Sequence, residues 1–131
     1  MTYLVDTHWV ASYLNGRQDA IQLLNTLAQS GIAISLITYG EIYDGIYHGR
    51  TPRAAERGFL QFLQIAPVLP LNKSIMKRFA RIRGDLRIVG RVFADADIMI
   101  AATAIHHGLT LVSRNTRHFS RIPSLQIYQH P

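Results

Sequence analysis

The segment Phe93-Ala94-Asp95-Ala96-Asp97-Ile98-Met99-Ile100-Ala101-Ala102-Thr103-Ala104-Ile105-His106-His107-Gly108 sets two carboxylates immediately ahead of an apolar, alanine-rich run. Ile98, Ala101, Ala102 and Ile105 recur at helical spacing, with Asp95 at the N-cap position and Gly108 as the stop, so the spacing predicts a buried helix. A helix this apolar packs inside its domain, and its first turn then opens into a protein-walled cleft. Acids in that turn are favoured by the helix dipole and stay ionised near neutrality. Taken alone, the segment is equally well explained by Asp95 as a cap and Asp97 as a complement to the dipole.

The rest of the acid inventory changes that balance. The 131-residue chain has eight Asp and Glu against fourteen Lys and Arg, and Asp6 and Glu41 also lie within apolar segments. If Asp6, Glu41, Asp95 and Asp97 converge, half of the acids surround one cavity and the remaining surface is strongly basic. The net charge of +6 and pI near 10.2, with twelve of the fourteen cations arginine, point to a polyanionic partner, nucleic acid first. The absence of cysteine excludes a disulfide framework and a thiolate metal site. Six histidines are present, but no pair has zinc-site spacing, and the adjacent His106 and His107 point to different sides of a helix.

A chain of this length fits a single domain, residues 1–131, large enough to bury a core. Asp6 interrupts the apolar start, no basic segment precedes it, and the run from Ile98 to Ile105 is far short of a membrane span. A soluble, cytoplasmic protein without membrane contact is the expectation.

Tyr3-Leu4-Val5 predicts a buried strand, ended by Asp6, with Thr7 as cap of a helix carrying Trp9, Val10, Tyr13 and Leu14. A second helix follows, with Ile21, Leu24, Leu27 and Ala28. Ile32-Ala33-Ile34 is the next strand, and Ser35 caps a helix to about Tyr47 that carries Glu41. Pro52 suits the first turn of a fourth helix bearing Ala55, Phe59, Phe62 and Leu63. Val68-Leu69 between two prolines predicts a short edge strand. Asn72 opens a helix with Ile75, Phe79, Ile82 and Leu86 inside and Lys73, Lys77, Arg78, Arg81, Arg83 and Arg87 on its other faces. Leu109 to Val112 predicts the fourth strand, Ser113 to Ser120 a loop with a short turn, and Leu125 to Tyr128 a last edge strand.

Strands alternating with helices imply a single-domain α/β/α sandwich with a mostly parallel central sheet and right-handed connections. Sites in such sheets lie beyond the carboxyl ends of the strands. Asp6, the helix carrying Glu41, and Ser113-Arg114-Asn115 are all sent to that end.

Three or four carboxylates at close range need a cation, because mutual repulsion otherwise raises some of their pKa values. Oxygen donors of this kind suit Mg²⁺ or Mn²⁺, and a hydrated metal can activate water and stabilise charge on a phosphoryl oxygen. Phosphodiester hydrolysis fits both the acids and the basic surroundings, with one or two metals left open.

These residues resemble the PIN-domain ribonucleases, specifically the VapC-type toxins of bacterial toxin–antitoxin pairs. The matching pieces are Leu4-Val5-Asp6-Thr7, Ser35-Leu36-Ile37-Thr38-Tyr39-Gly40-Glu41, and Asp95 through Ala104 continuing through His107-Gly108-Leu109-Thr110-Leu111-Val112-Ser113-Arg114-Asn115-Thr116-Arg117-His118-Phe119. The resemblance covers essentially the whole chain. It implies Asp6, Glu41 and Asp97 as catalytic, metal-binding acids and Asp95 as an auxiliary ligand or cap. Thr7, Ser113 and Asn115 support them, and Arg83, Arg87, Arg114 and Arg117 are candidate RNA contacts. His118 stands where the family commonly has a further acid, which bears on a second metal. The resemblance further implies Mg²⁺-dependent (or Mn²⁺-dependent) RNA cleavage, a homodimer, and inhibition by a cognate VapB-like antitoxin. For such an antitoxin, Trp9 and Tyr13 of the first helix are candidate anchors.

Two rivals stand beside this. A phosphoaspartyl receiver or phosphatase would use Asp6, but the chain reads Asp6-Thr7-His8 without a second acid two residues on, and its only lysines, Lys73 and Lys77, lie on one helix. A non-catalytic nucleic-acid-binding module fits the basic surface but leaves three acids unexplained.

Overall fold

The computed structural model describes residues 1–129. Four parallel strands form the sheet: β1 (Tyr3–Val5), β2 (Ile32–Ser35), β3 (Val68–Leu69) and β4 (Thr110–Val112), in the order β3-β2-β1-β4. Seven helices complete the described residues: α1 (Thr7–Leu14), α2 (Gln18–Ala28), α3 (Leu36–Tyr47), α4 (Pro52–Phe62), α5 (Lys73–Ile88), α6 (Asp95–His107) and α7 (Thr116–Phe119).

The two-residue side-chain period of the strands builds two cores. Val5, Ile32, Ile34 and Val112 face one cluster, filled by Trp9 and Val10 of α1, Leu23, Leu24 and Leu27 of α2, Ile42 and Ile46 of α3, and Phe59 and Phe62 of α4. Leu4, Ala33 and Leu111 face the other, filled by Leu86 of α5, Ile98, Ile100, Ala101 and Ala104 of α6, and Phe119 of α7. A fully buried side chain such as Ile98 contributes about 1.5–3 kcal/mol. The α/β/α sandwich is therefore the expected one.

Strand order decides where a ligand sits. The chain runs from β1 to β2 to β3 on one side, then returns to place β4 on the other side of β1. The reversal between β1 and β4 is a topological switch point, and the crevice beyond it is the usual site in open parallel sheets. Asp6 and Ser113 are the residues that leave those two strands.

Several local expectations are corrected. Asp6, not Thr7, caps α1, its carboxylate accepting from the Thr7 N–H. Asp95 does not cap α6. The cap residue is Ala94, without a side-chain hydrogen bond, and Asp95 is the first helical residue, its carboxylate drawn away by a cation. Both Asp95 and Asp97 still lie in the first turn, where the dipole favours them. The last edge strand is reduced to one parallel bridge, Leu111 to Ile127, because Ser124 at φ 70° and the turn before it bring the chain alongside β4 only briefly. The loop after Ser113 tightens into α7, and Gly108 ends α6 at φ 66°, the left-handed conformation expected of a stop. Among the described residues no helix is long and apolar enough to cross a membrane.

Because α6 is packed between the sheet and α5, its small residues are a fitted surface. Ala101→Leu at this fully buried position should destabilise the fold by about 1–3 kcal/mol through overpacking. Urea denaturation should show a lower midpoint at an unchanged slope.

Candidate active site

At the switch point, the Asp6 N–H donates to the Val112 carbonyl at 2.9 Å and continues the pairing of β1 with β4 by one residue. Its Oδ1 accepts from the Thr7 N–H at 2.8 Å and its Oδ2 from the Ser113 hydroxyl at 2.8 Å. Ser113 Oγ in turn accepts from the Asn115 N–H at 3.0 Å, which shapes the loop after β4 around the carboxylate. Asp6 is buried, and burial pushes its carboxyl above the usual range. The Ser113 and Thr7 hydrogen bonds pull the other way, the negative charge of Asp97 raises it further, and His8 lowers it.

Glu41 is exposed and reaches the same cavity from α3. Its Oε1 accepts from the Thr7 hydroxyl at 2.6 Å, and Thr7 Oγ1 lies 3.0 Å from Thr38 Oγ1. Each hydroxyl has one proton. With that of Thr7 given to Glu41, the bonds run in one direction, from Ser35 to Thr38 at 3.3 Å, from Thr38 to Thr7, and from Thr7 to Glu41. Ser35 also caps α3 by accepting from the Thr38 N–H, as expected. The start of α3 and the aim of Glu41 therefore depend on the same hydroxyls.

Asp97, from the first turn of α6, is half-buried. The Nε2 of His118 lies 3.3 Å from its Oδ2, with an angle unsuited to a hydrogen bond, and that nitrogen has no other partner among the described residues. The imidazole is stacked on Phe93, in the loop before α6, at 3.9 Å between ring centroids and edges Phe119 of its own helix α7, so it is held on two sides.

Asp6, Thr7, Glu41, Asp97, Ser113, Arg114 and Asn115 line one cavity of about 430 Å³. Seven of the residues expected from sequence are thus brought together. Asp95 is not among them: its Oδ1 accepts from Arg83 Nε at 2.9 Å, both side chains about half exposed. Arg83 is committed to that pair, and Arg87 and Arg117 are exposed without lining the cavity. Thr38, His8 and Phe119 were missed. Thr38 had a signal, three residues after a capping serine, whereas His8 and Phe119 had none.

The donor set decides how the divalent cation that the resemblance implies could be held. Among the described residues no three histidine or acid side chains are gathered tightly enough to enclose a metal ion. The arrangement instead fits a hydrated Mg²⁺ or Mn²⁺, held through one or two carboxylates with water completing the shell. Burial, and secondarily the charge of Asp97, raise the Asp6 carboxyl, and a cation in the cavity would relieve both.

Comparison with known proteins identifies the family. The PIN domain model matches residues 3–125, and the chain belongs to that family. Ribonuclease VapC2 of Haemophilus influenzae strain Rd is 29% identical over 128 residues, 96% of either chain. The crystal structure of VapBC2 from Rickettsia felis bound to a DNA fragment from their promoter superposes with a TM-score of 0.91 at 25% identity, covering 100% of both chains. A toxin–antitoxin complex from Klebsiella pneumoniae gives 0.75 at 27% identity over 98% of this chain and 100% of the other.

The state of Asp6 is open to measurement. A raised folded-state pKa means that the native protein holds this proton more tightly than the unfolded chain does. Its contribution to stability is fully present below the unfolded value of about 3.9 and is lost as pH rises through the raised value. Asp6→Asn preserves capping. It should therefore raise the thermal midpoint of the metal-free protein at pH 7, with the gain disappearing near pH 3.5. Calorimetry at the two pH values checks this, and an unchanged midpoint at pH 7 would show that the hydrogen bonds already offset burial.

Proposed function

We propose that this protein is a divalent-metal-dependent endoribonuclease of the VapC type, hydrolysing phosphodiester bonds in RNA and silenced by a cognate VapB-like antitoxin. The observation that carries this is the meeting of Asp6, Glu41 and Asp97, from three separate segments, in one cavity at the β1/β4 switch point of a strongly basic chain.

Mg²⁺ or Mn²⁺, when bound, supplies an activated water and charge stabilisation at a phosphoryl oxygen. The chain's own residues prepare for it. Asp6 is oriented by Ser113 and the Thr7 N–H, and each of its oxygens retains a free lone pair for a metal or a metal-bound water. Glu41 is aimed by Thr7, and Asp97 is flanked by His118. The Asn115 amide side chain and the Ser113 hydroxyl border the cavity where water or a ribose hydroxyl can be bound. The excess of arginine draws in the RNA backbone.

Asp6→Asn, Glu41→Gln and Asp97→Asn should each reduce metal-dependent RNA cleavage to background with circular dichroism unchanged. Asp95→Asn, outside the cavity, should keep most activity. Full cleavage by any of the first three would remove that residue from the site. Binding without metal-dependent cleavage by the wild type would favour the non-catalytic rival.

The antitoxin has a matching surface. An apolar groove of about 310 Å³ between α1, α3 and α4 is lined by Ala11, Leu14, Ile42, Ile46, Ala55 and Gly58 and ends at Thr7 and Glu41. A segment lying along it delivers a guanidinium to the acids, where its charge and fixed donors substitute for the metal. Of the anchors expected at Trp9 and Tyr13, Trp9 is buried in the first core, while Tyr13 is half-buried and packs on Phe62; the groove is the surface proposed here. Glu41→Gln should weaken antitoxin binding at fixed salt, measured by calorimetry. The homodimer implied by the resemblance belongs to the same proposal and is checked by sedimentation.

A further inference from the structure

Arg114 forms the wall between the catalytic cavity and a smaller hollow of about 280 Å³ that Trp9, Asp19 and Thr116 also border. A surface arginine ordinarily samples many rotamers, but this one is held on a face and an edge. Its guanidinium carbon lies 3.8 Å over the centroid of the Trp9 ring, and that ring is 5% exposed, a fixed part of the first core. Its Nη2 donates to Asp19 Oδ2 at 3.0 Å. Asp19 is fixed in turn, its Oδ1 accepting from the Ala20 N–H at 2.9 Å in the first turn of α2. The side chain nevertheless stays 39% exposed. Its chain neighbours are tied to the acids, Ser113 through Asp6 Oδ2 and Asn115 through Ser113. The position of the guanidinium is thereby registered to the metal-binding carboxylates.

We propose that Arg114 is a preorganised stacking platform for the RNA base adjacent to the scissile phosphate, received on the guanidinium face turned away from Trp9. The proposal rests on the ribonuclease reading and deepens it by naming a specificity-determining residue. A base is favoured over a phosphate for two reasons. The charge of Arg114 is already partnered by Asp19, whose carboxylate would repel a second anion on the same edge. The guanidinium lies over an aromatic ring at 3.8 Å with 39% of the side chain exposed, and such a planar group is of the kind on which single-stranded RNA bases stack.

The test uses Asp97→Asn protein, which leaves RNA uncut, and fluorescent single-stranded oligonucleotides with an abasic site moved along the sequence. Arg114→Lys keeps the charge and loses the plane, and should weaken binding about 5- to 150-fold, the range for one lost base stack. The loss should vanish when the abasic site occupies one particular position, and the salt dependence should be unchanged. Emission from Trp9, the single tryptophan, should change on RNA binding and do so less in Arg114→Lys. Asp19→Asn, which frees the edge of the guanidinium without touching the cavity, should weaken binding less and in the same position-dependent way. Equal affinity of Arg114→Lys and its parent would overturn the proposal. So would a loss indifferent to the abasic position with a salt slope lower by about 0.7 in Arg114→Ala, which would assign Arg114 to a phosphate. A wild-type protein that neither binds nor cleaves RNA would overturn the ribonuclease reading and the platform together.

Discussion

The hydrogen bond from Ser113 Oγ to Asp6 Oδ2 joins residues 107 positions apart, and the site depends on it. Asp6 leaves the central strand and Ser113 leaves its neighbour, so the bond can form only after β1 and β4 are paired in register. The buried carboxylate gains a donor, and the loop carrying Arg114 and Asn115 is fixed above the sheet. A single contact thus links sheet topology to the electrostatics of the cavity. The cost of burying an acid falls on the fold, and the hydrogen bonds offset it in part.

Glu41 and Asp97 are placed by different means. Glu41 sits on the second turn of a helix whose start is locked by Ser35 and Thr38, and the same hydroxyls hand a proton donor on to it through Thr7. Asp97 relies on its position in the first turn of an apolar helix that cannot rotate between sheet and α5, with His118 packed beside it. The three acids line one cavity, and each is held there by a different element.

Much of this was legible in the sequence for identifiable reasons. Helical spacing in α6 and α5 and short apolar runs in the strands reflect burial on known faces, and burial is what periodicity reports. Asp6, Glu41 and Asp97 stood out because each interrupts an apolar segment, although of the three only Asp6 is buried. Asp95 was misjudged because a cap position and a first-turn position differ by one residue, and the decision lay with Arg83, twelve residues away. The seat of Arg114 on Trp9 was beyond reach: Trp9 read as an apolar residue of one helix, and nothing local told that a loop some hundred residues later would settle on it. The short pairing after Ser124 was likewise hidden, since apolar residues from Leu125 to Ile127 pack on the second core without making a ladder.

The incompletely compensated carboxylate of Asp6 has a consequence for how the protein persists. Any positive charge that enters the cavity binds the native state and not the unfolded chain, and so stabilises the fold by mass action in proportion to the logarithm of its concentration over its dissociation constant. Occupancy and resistance to unfolding are then the same variable. On the proposed reading, a metal ion with its substrate and an inhibitor bearing a guanidinium would both protect the molecule, one while it works and the other while it is silent. The bare protein between those states is the form that proteases meet first.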